Sequence, residues 1–198
     1  MRSVRGSLPS SARESERDVT MSAVRIHIMG AAGSGTTTLG RALGQVLPHR
    51  HLDTDDYFWK EKFTKQRPDP ARVELLRVAL RQTPWVLSGG VAGWANELIP
   101  LFDLVVFLWI PQEIRMQRLQ QRELERYGDA AAPGGKLYEQ SQTFLKWAAS
   151  YDTSTSETRS KLNHERWLGG LDCQVLRLEG DLSVPSRVDA VTNYLAAT

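Results

Sequence analysis

A glycine-rich nonapeptide, GAAGSGTTT at residues 30–38, separates an apolar run from a helix-compatible run. The run before it, at residues 24–29, has the length and composition of a β-strand, and the run after it continues to residue 47. Glycines between a strand and a helix let main-chain N–H groups approach an anion at the helix N-terminus. The sequence therefore predicts a phosphate-binding loop.

The loop matches the pattern G-x-x-x-x-G-K-[ST] at Gly30, Gly35 and Thr37. Thr36 stands where the pattern has its lysine, so the loop lacks its usual cation. One alternative is a glycine turn without a ligand. Another is a dinucleotide-binding oxidoreductase, in which Asp53 would bind a ribose.

Length and composition limit the class of protein. The 198 residues predict one globular domain over residues 22–198, and the Ser- and Arg-rich residues 1–21 predict a disordered extension. A net charge of +2 does not indicate nucleic acid or a membrane surface as a partner, and no apolar run approaches the ~20 residues of a membrane span. The single cysteine, Cys173, excludes an internal disulfide and suits the reducing cytoplasm.

Strand-sized apolar runs alternate with helical patterns along the rest of the chain. The predicted strands lie at residues 24–29, 51–52, 85–88, 104–109 and 174–178. The predicted helices lie at residues 36–47, 70–82, 112–127, 138–150, 156–167 and 185–196. This alternation predicts an α/β protein, with a parallel sheet covered by helices on both faces.

Three carboxylates and three aromatic side chains follow the second predicted strand, in LDTDDYFW at residues 52–59. Ligands of open α/β sheets bind at the carboxyl ends of strands, where this segment begins. Asp53 and Asp55 would project to one side of an extended chain, where one can hold Mg²⁺ and the other can orient an acceptor hydroxyl. Tyr57 and Trp59 would then lie near that acceptor. The alternative is a helix N-cap followed by a solvated turn.

Arginines recur along the helix predicted at residues 112–127. At ~100° per residue, four of them share one face: Arg115, Arg118, Arg122 and Arg126. Guanidinium groups bind phosphate oxygens bidentately and keep their charge, so this stripe can clamp a phosphate. The glycine-rich residues 128–135 predict a loop, which makes residues 115–138 a lid-like region. The alternative is a solvated face whose arginines pair with glutamates.

With these features together, the chain resembles the P-loop nucleoside and nucleotide kinase superfamily, the group of the adenylate kinases and shikimate kinases. The resemblance is carried by GAAGSGTTT at 30–38, LDTDDYFW at 52–59, VLSGG at 86–90 and FDLVVFLWIPQEIRMQRLQQR at 102–122. It implies a three-layer P-loop NTPase fold whose five-stranded parallel sheet has the order 2-3-1-4-5. It also implies ATP and Mg²⁺ as ligands, and γ-phosphoryl transfer to a small acceptor: a nucleoside, a nucleotide or a small hydroxylated metabolite.

The same resemblance implies roles for individual residues. The ATP phosphates would be bound by the whole loop: Gly30, Ala31, Ala32, Gly33, Ser34, Gly35, Thr36, Thr37 and Thr38. Magnesium would be held by Thr37, Asp53 and Asp55. The acceptor would be bound by Asp55, Gly89 and Gly90, and the position of Tyr57 and Trp59 beside the aspartates adds them to the acceptor site. The catalytic residues would be Asp53, nearest the acceptor hydroxyl, and the lid arginines Arg118, Arg122 and Arg126. Residues 179–181 would contact adenine.

Departures from the superfamily pattern leave alternatives open. Thr36 removes the loop cation, and the candidates to replace it are Arg118, Arg122, Lys60, Lys62 and Lys65. The third strand ends in Ser-Gly-Gly at residues 88–90 without an acidic residue. The motif with which adenylate kinases recognise the acceptor nucleotide is not evident, so AMP does not follow as the acceptor. A nucleotide-binding sensor with little turnover is therefore the alternative to a kinase. The pattern makes no prediction of the oligomeric state.

Overall fold

A computed structural model describes residues 24–155 and 159–198. The disorder predicted for residues 1–21, and the first three residues of the helix predicted at 156–167, lie outside the described residues. In chain order the elements are β1 (Arg25–Gly30), α1 (Thr36–Val46), β2 (Arg50–Asp53), α2 (Thr54–Phe58), β3 (Trp59–Glu61), β4 (Lys65–Gln66), α3 (Asp69–Ala79), β5 (Trp85–Ser88), β6 (Leu104–Trp109), α4 (Gln112–Tyr127), α5 (Tyr138–Ala149), α6 (Lys161–Gly169), β7 (Gln174–Glu179) and α7 (Val184–Ala197). Short 3₁₀ helices lie at Asn96–Leu101, Gly128–Ala131 and Ser150–Asp152. None of the described helices is long and apolar enough to cross a membrane.

Five strands form one parallel sheet in the order β2-β5-β1-β6-β7. Counted along the chain within this sheet, the order is 2-3-1-4-5, which confirms the predicted topology. Ile28 of β1 pairs with Ser88 of β5 on one side and with Val106 of β6 on the other. The loops that follow β1, β2 and β5 therefore converge at the carboxyl edge of the sheet.

Apolar side chains cover both faces of the sheet. On one face, Phe107 of β6 belongs to a cluster with Leu76 of α3. On the other face, Val106 of the same strand belongs to a cluster with Leu39 of α1 and Val191 of α7. Neighbouring residues of a strand point to opposite faces, so a strand buried on both faces is a continuous apolar run, as β6 is. The predicted three-layer arrangement is confirmed.

The segment after β2 differs from the sequence expectation of an extended acidic cluster. It forms the five-residue helix α2 and then the antiparallel hairpin β3–β4. Asp53 is the N-cap of α2, and its side chain accepts a hydrogen bond from the N–H of Asp55. The capping interaction satisfies an amide that a helix start would otherwise leave free, which favours the helix over the extended chain. The N-cap alternative is therefore correct for the local structure.

Candidate active site

A cavity of about 1680 Å³ opens at the carboxyl edge of the sheet, and we call it the central cavity. Sites for one small ligand usually enclose about 300–1000 Å³, so this volume has room for two ligands. Its basic side chains are Arg41, Lys62, Arg118, Arg122, Arg126, Arg159 and Arg187. Its acidic side chains are Asp53, Asp55, Glu123 and Asp181. The excess of positive charge over negative charge favours anionic ligands.

The phosphate loop leaves the first turn of α1 without a side-chain cap. Gly33 and Gly35 have φ angles of 81° and 91°, a left-handed region that glycine adopts without strain. A Cβ at Gly33 would stand 2.8 Å from the main-chain oxygen of Arg115, so the loop lies tightly against α4. Gly35 is the N-cap of α1, which has no side-chain cap hydrogen bond and no acidic residue in its first turn. The open N–H groups of that turn fit a phosphate.

The three threonines of the loop line the central cavity, whereas Ser34 does not. Ser34 is fully buried, and its Oγ has no hydrogen-bond partner among the described residues. Its carbonyl oxygen accepts a hydrogen bond of 2.9 Å from Nη1 of Arg187. Ser34 therefore anchors the loop to Arg187 through its main chain, and its buried side chain is not presented to a ligand.

Thr37 joins the phosphate loop to the end of β2. Its Oγ1 donates a hydrogen bond of 2.9 Å to Oδ2 of Asp53. The other oxygen of Asp53 accepts a bond of 3.0 Å from the N–H of Asp55. Both oxygens of Asp53 are thus engaged, and the hydroxyl and the carboxylate stand side by side on the cavity wall.

Asp55, the second residue of α2, lines the central cavity and is partly buried. Burial raises the pKa of its carboxyl above the ordinary value, and the neighbouring charge of Asp53 raises it further. The positive charges of Arg159 and Lys62 and a hydrogen bond from Trp59 act in the opposite direction and lower this pKa. A carboxylate with a raised pKa accepts a proton more readily than an ordinary aspartate does, which suits it to act as a base.

The structure divides the predicted arginine stripe on α4. Arg118, Arg122 and Arg126 line the central cavity. Arg115 does not, because it is fully buried, with Nε bonded to the carbonyl oxygen of Ile110 and Nη2 paired with Asp152. Its guanidinium is a structural group that ties α4 to neighbouring segments.

Aromatic rings hold two of these cavity arginines. Arg126 lies over the ring of Phe63 in the β3–β4 hairpin, 4.5 Å from its centroid. Arg122 lies over Phe144 of α5, 5.5 Å from its centroid. Burial lowers the pKa of Arg122, and the nearby Arg126 lowers it further. Two neighbouring guanidiniums on a cavity wall favour the binding of an anion.

Only some of the residues predicted to bind the acceptor line the central cavity. Trp59, Gly89 and Gly90 line the cavity beside Asp55. Tyr57 is not among the lining residues and packs instead against the apolar cluster under the sheet. Tyr57 belongs to α2, whereas Trp59 begins the extended strand β3, so the backbone changes conformation between the two side chains.

Several lining residues have no motif in the sequence. They include Arg41, Trp94, Phe144, Trp147, Arg159 and Arg187. The guanidinium of Arg159 occupies the space beside Gly90, so a Cβ at this position would require the arginine side chain to move. Asp181, which the resemblance placed near adenine, also lines the cavity and is paired with Arg118. Of the residues in this paragraph, only Asp181 was predicted to lie at the site, as part of residues 179–181.

Among the described residues, no group of three or more His, Cys, Asp or Glu side chains could hold a metal ion alone. The pair formed by Thr37 and Asp53 supplies hydroxyl and carboxylate oxygens, with Asp55 nearby in the same cavity. Mg²⁺ is usually bound by one or two carboxylates together with waters and phosphate oxygens of a substrate. These residues fit a magnesium ion that arrives with a nucleotide.

No protein-family model matches the chain. Solved structures with the same fold include a shikimate kinase of Bacteroides thetaiotaomicron (22% identity, 87% of this chain and 98% of that one, TM-score 0.51). A gluconokinase of Sinorhizobium meliloti is 14% identical over 89% of this chain and 93% of that one, with a TM-score of 0.51. A shikimate kinase of Aquifex aeolicus is 17% identical over 88% and 97%, also with a TM-score of 0.51. At such identities these matches show the fold, which is that of the P-loop kinases.

A closer likeness connects the chain to a bacterial protein. The two sequences are 54% identical over 173 residues, which is 87% of this chain and 97% of the other protein. Such identity across nearly the whole of both chains requires a shared fold and shared ancestry. The chain therefore belongs to the family of the uncharacterized protein YqaC of Bacillus subtilis.

Proposed function

We propose that the protein is a kinase that transfers the γ-phosphoryl group of ATP, bound with Mg²⁺, to a hydroxyl group of a small acceptor. The observation that carries the proposal is the hydrogen bond from Thr37 to Asp53. It joins an uncapped phosphate loop to a carboxylate at the end of a neighbouring strand, on the wall of a cavity large enough for two ligands. The kinase names of the structural neighbours support the same class of reaction.

Phosphoryl transfer depends on positioning and on neutralising negative charge. The open amides of α1 would bind the phosphates, and Thr37 with Asp53 would hold Mg²⁺. When bound, that ion would supply positive charge that neutralises the phosphate oxygens. Arg122 and Arg126, which line the same cavity, would contribute further charge.

We assign the role of base to Asp55, whereas the resemblance suggested Asp53 for the acceptor hydroxyl. Both oxygens of Asp53 are engaged by Thr37 and by the first turn of α2. Asp55 faces the same cavity and has a raised pKa. It would accept the proton that the acceptor hydroxyl loses as its oxygen bonds to phosphorus, while the leaving ADP keeps the bridging oxygen.

The acceptor that fits this cavity is a small hydroxylated anion. Asp55 offers an acceptor for a hydroxyl hydrogen, and Arg159 lies beside it with a guanidinium that suits a carboxylate or a phosphate. The aromatic rings of Phe58, Trp59 and Trp94 line the same region and suit the apolar face of such a molecule. We therefore place the acceptor between α2 and the loop after β5.

A binding module with little turnover is the second candidate, and Thr36 is the observation that favours it. The absence of a lysine at this position removes a charge that neutralises phosphate oxygens during transfer. A protein that only senses nucleotide would not need Asp55 placed at an acceptor site. The two candidates are separated by acceptor-dependent turnover.

The test is the release of ADP from Mg-ATP in the presence of an acceptor panel. The panel contains hydroxylated carboxylates, sugar acids, nucleosides and nucleoside monophosphates. A kinase gives ADP release that one member of the panel stimulates, and a Thr37→Val variant removes most of it. Thr143→Val is the matched control, because its hydroxyl donates to the carbonyl oxygen of Glu139 on α5 and the residue does not line the central cavity. ATP binding without stimulation by any acceptor would favour the binding module.

A further inference from the structure

Arg187 reaches the phosphate loop from the other end of the chain. It lies in the first turns of α7 and is only 4% exposed. Its Nη1 donates a hydrogen bond of 2.9 Å to the carbonyl oxygen of Ser34. The same nitrogen lies 3.2 Å from the position of a Cβ on Gly35. The guanidinium is thus fixed against the two residues that directly precede Thr36.

The second amino nitrogen of this guanidinium lacks an acceptor. Nη2 of Arg187 is buried and has no hydrogen-bond partner among the described residues. The nearest carboxylate oxygen, on Asp181, lies 3.8 Å away and is bonded to Arg118 instead. Leaving a buried charged donor without a partner is costly, so the arrangement is complete only when an anion supplies the acceptor.

The charge of Arg187 is poorly balanced in this position. Burial lowers its pKa, Arg118 lowers it further, and Asp181 opposes the shift. Arginine remains protonated despite such shifts, so a positive charge stays at the loop. Because the side chain lines the central cavity, this charge is within reach of a ligand in the loop.

We propose that Arg187 is the phosphate-binding cation of this protein, in place of the lysine that Thr36 replaces. Its ligand would be the polyphosphate of a nucleoside di- or triphosphate. The inference rests on the proposed function, since it assigns a further residue to the same site. Asp181 serves as the substitute anion between Arg118 and Arg187 when no nucleotide is bound. Among the cation candidates from the sequence, Arg118 is paired with Asp181 and Lys62 with Asp56. Arg122 lies over the ring of Phe144, and Lys60 and Lys65 do not line the central cavity.

The test is a double-mutant cycle between residues 36 and 187, read as Kd by calorimetry. The four proteins are wild type, Arg187→Gln, Thr36→Lys and the double variant, and the ligands are ATP, ADP, adenosine and inorganic tripolyphosphate. Arg187→Gln should weaken the binding of ATP, ADP and tripolyphosphate by about 10–100-fold and the binding of adenosine by less than about threefold. Thr36→Lys should restore most of that loss in the double variant and should tighten ATP by only about threefold in wild type.

Two further variants keep the result interpretable. Arg25→Gln is the matched control, because Arg25 pairs with Asp103 at the amino end of β1, away from the cavity. It should leave every Kd unchanged. Asp181→Asn should act in the opposite direction to Arg187→Gln and tighten polyphosphate binding, because it removes the competing carboxylate. This variant also tests the proposal if Arg187→Gln fails to fold.

If Arg187→Gln weakens the binding of adenosine and ATP equally, or if Thr36→Lys does not restore ATP affinity in the double variant, Arg187 only stabilises the loop structure. Weaker or unchanged ATP binding by Asp181→Asn would contradict the substitute-anion role. Failure of the proposed function is a different outcome: wild type would then bind ATP without acceptor-dependent ADP release. Tripolyphosphate affinity would still report whether Arg187 binds the anion.

Discussion

Gly89 lies directly against the side chain of Thr54, the first residue of α2. A Cβ added at Gly89 would overlap Oγ1 of Thr54 and stand 3.2 Å from its Cβ. Thr54 is buried, and its neighbours Asp53 and Asp55 face the central cavity. This contact therefore sets how closely the loop after β5 approaches the two carboxylates.

Gly89→Ala should disturb both stability and the site. Gly89 has a φ of 106°, which costs a residue with a Cβ about 1–2 kcal/mol, and the overlap with Thr54 adds about 1–3 kcal/mol. Gly93→Ala is the control, because Gly93 has a φ of 85° but has nothing within 4 Å of its Cβ position. Chemical denaturation and ADP release should show a stability loss in both variants and a loss of acceptor-dependent turnover in Gly89→Ala alone. Equal turnover in the two would contradict the role of the contact.

Asp53→Asn should separate metal binding from folding. Asparagine is as good an N-cap as aspartate, so the free energy of unfolding should change by less than about 0.5 kcal/mol. The loss of negative charge beside Thr37 should raise the Mg²⁺ concentration for half-maximal ADP release by about tenfold or more. A magnesium titration measures this, with Asp56→Asn as control, since Asp56 is exposed and pairs with Lys62. An unchanged magnesium requirement would place the ion elsewhere.

The raised pKa of Asp55 predicts a pH profile. A base acts in its deprotonated form, so kcat/KM for the acceptor should fall as the pH drops through the pKa of Asp55. Because burial and Asp53 raise this pKa, the fall should begin at a higher pH than it would for an ordinary, solvent-exposed aspartate. Asp55→Asn should lower kcat by about 10²–10⁴-fold and remove this limb of the profile, while ATP affinity stays within about threefold. A variant that keeps the same acid limb would assign the titration to another group.

The glycine loop and the alternation of strands and helices could be predicted because their evidence is local, whereas the sheet order was implied by the resemblance to the P-loop kinases. A strand, a glycine turn and a helix occur within residues 24–47, and the helix of α4 matches its predicted bounds of 112–127. The hairpin β3–β4 could not be predicted in the same way. Its strands are three and two residues long and mostly charged, so no alternation of apolar and polar residues marks them.

The same limit explains Arg115, whose burial differs from the expectation, and Arg187, about which no sequence pattern made a prediction. Helical periodicity places Arg115 on the face of Arg118, but it does not show that the guanidinium of Arg115 is buried and paired with Asp152. Arg187 contacts Ser34 across 153 residues of sequence, and no pattern in either segment refers to the other. Contacts of this kind follow from how helices pack on the sheet and become visible only in the folded chain.

Two buried histidines predict a loss of stability in acid. His27 in β1 donates from Nδ1 to the carbonyl oxygen of Leu87 at 3.1 Å and stacks on Phe102. Burial lowers the pKa of His27 to about 4. It also lowers the pKa of His164 to about 3, with Arg159 and His27 adding to that effect. Both side chains are therefore neutral in the folded protein at pH 7.

In the unfolded chain each histidine takes up a proton as the pH falls below about 6.5, whereas the folded protein takes up none until much lower pH. The unfolded state is therefore favoured progressively between pH 6.5 and 4, by roughly 1.4 kcal/mol per pH unit for each histidine. Urea unfolding of wild type at pH 7 and pH 5 measures the combined change. His27→Asn retains a donor for Leu87 and should lower the free energy of unfolding at pH 7. Between pH 7 and pH 5, the free energy of unfolding of this variant should fall by about 2 kcal/mol less than that of wild type. The same loss in both proteins would show that His27 does not contribute to the acid sensitivity.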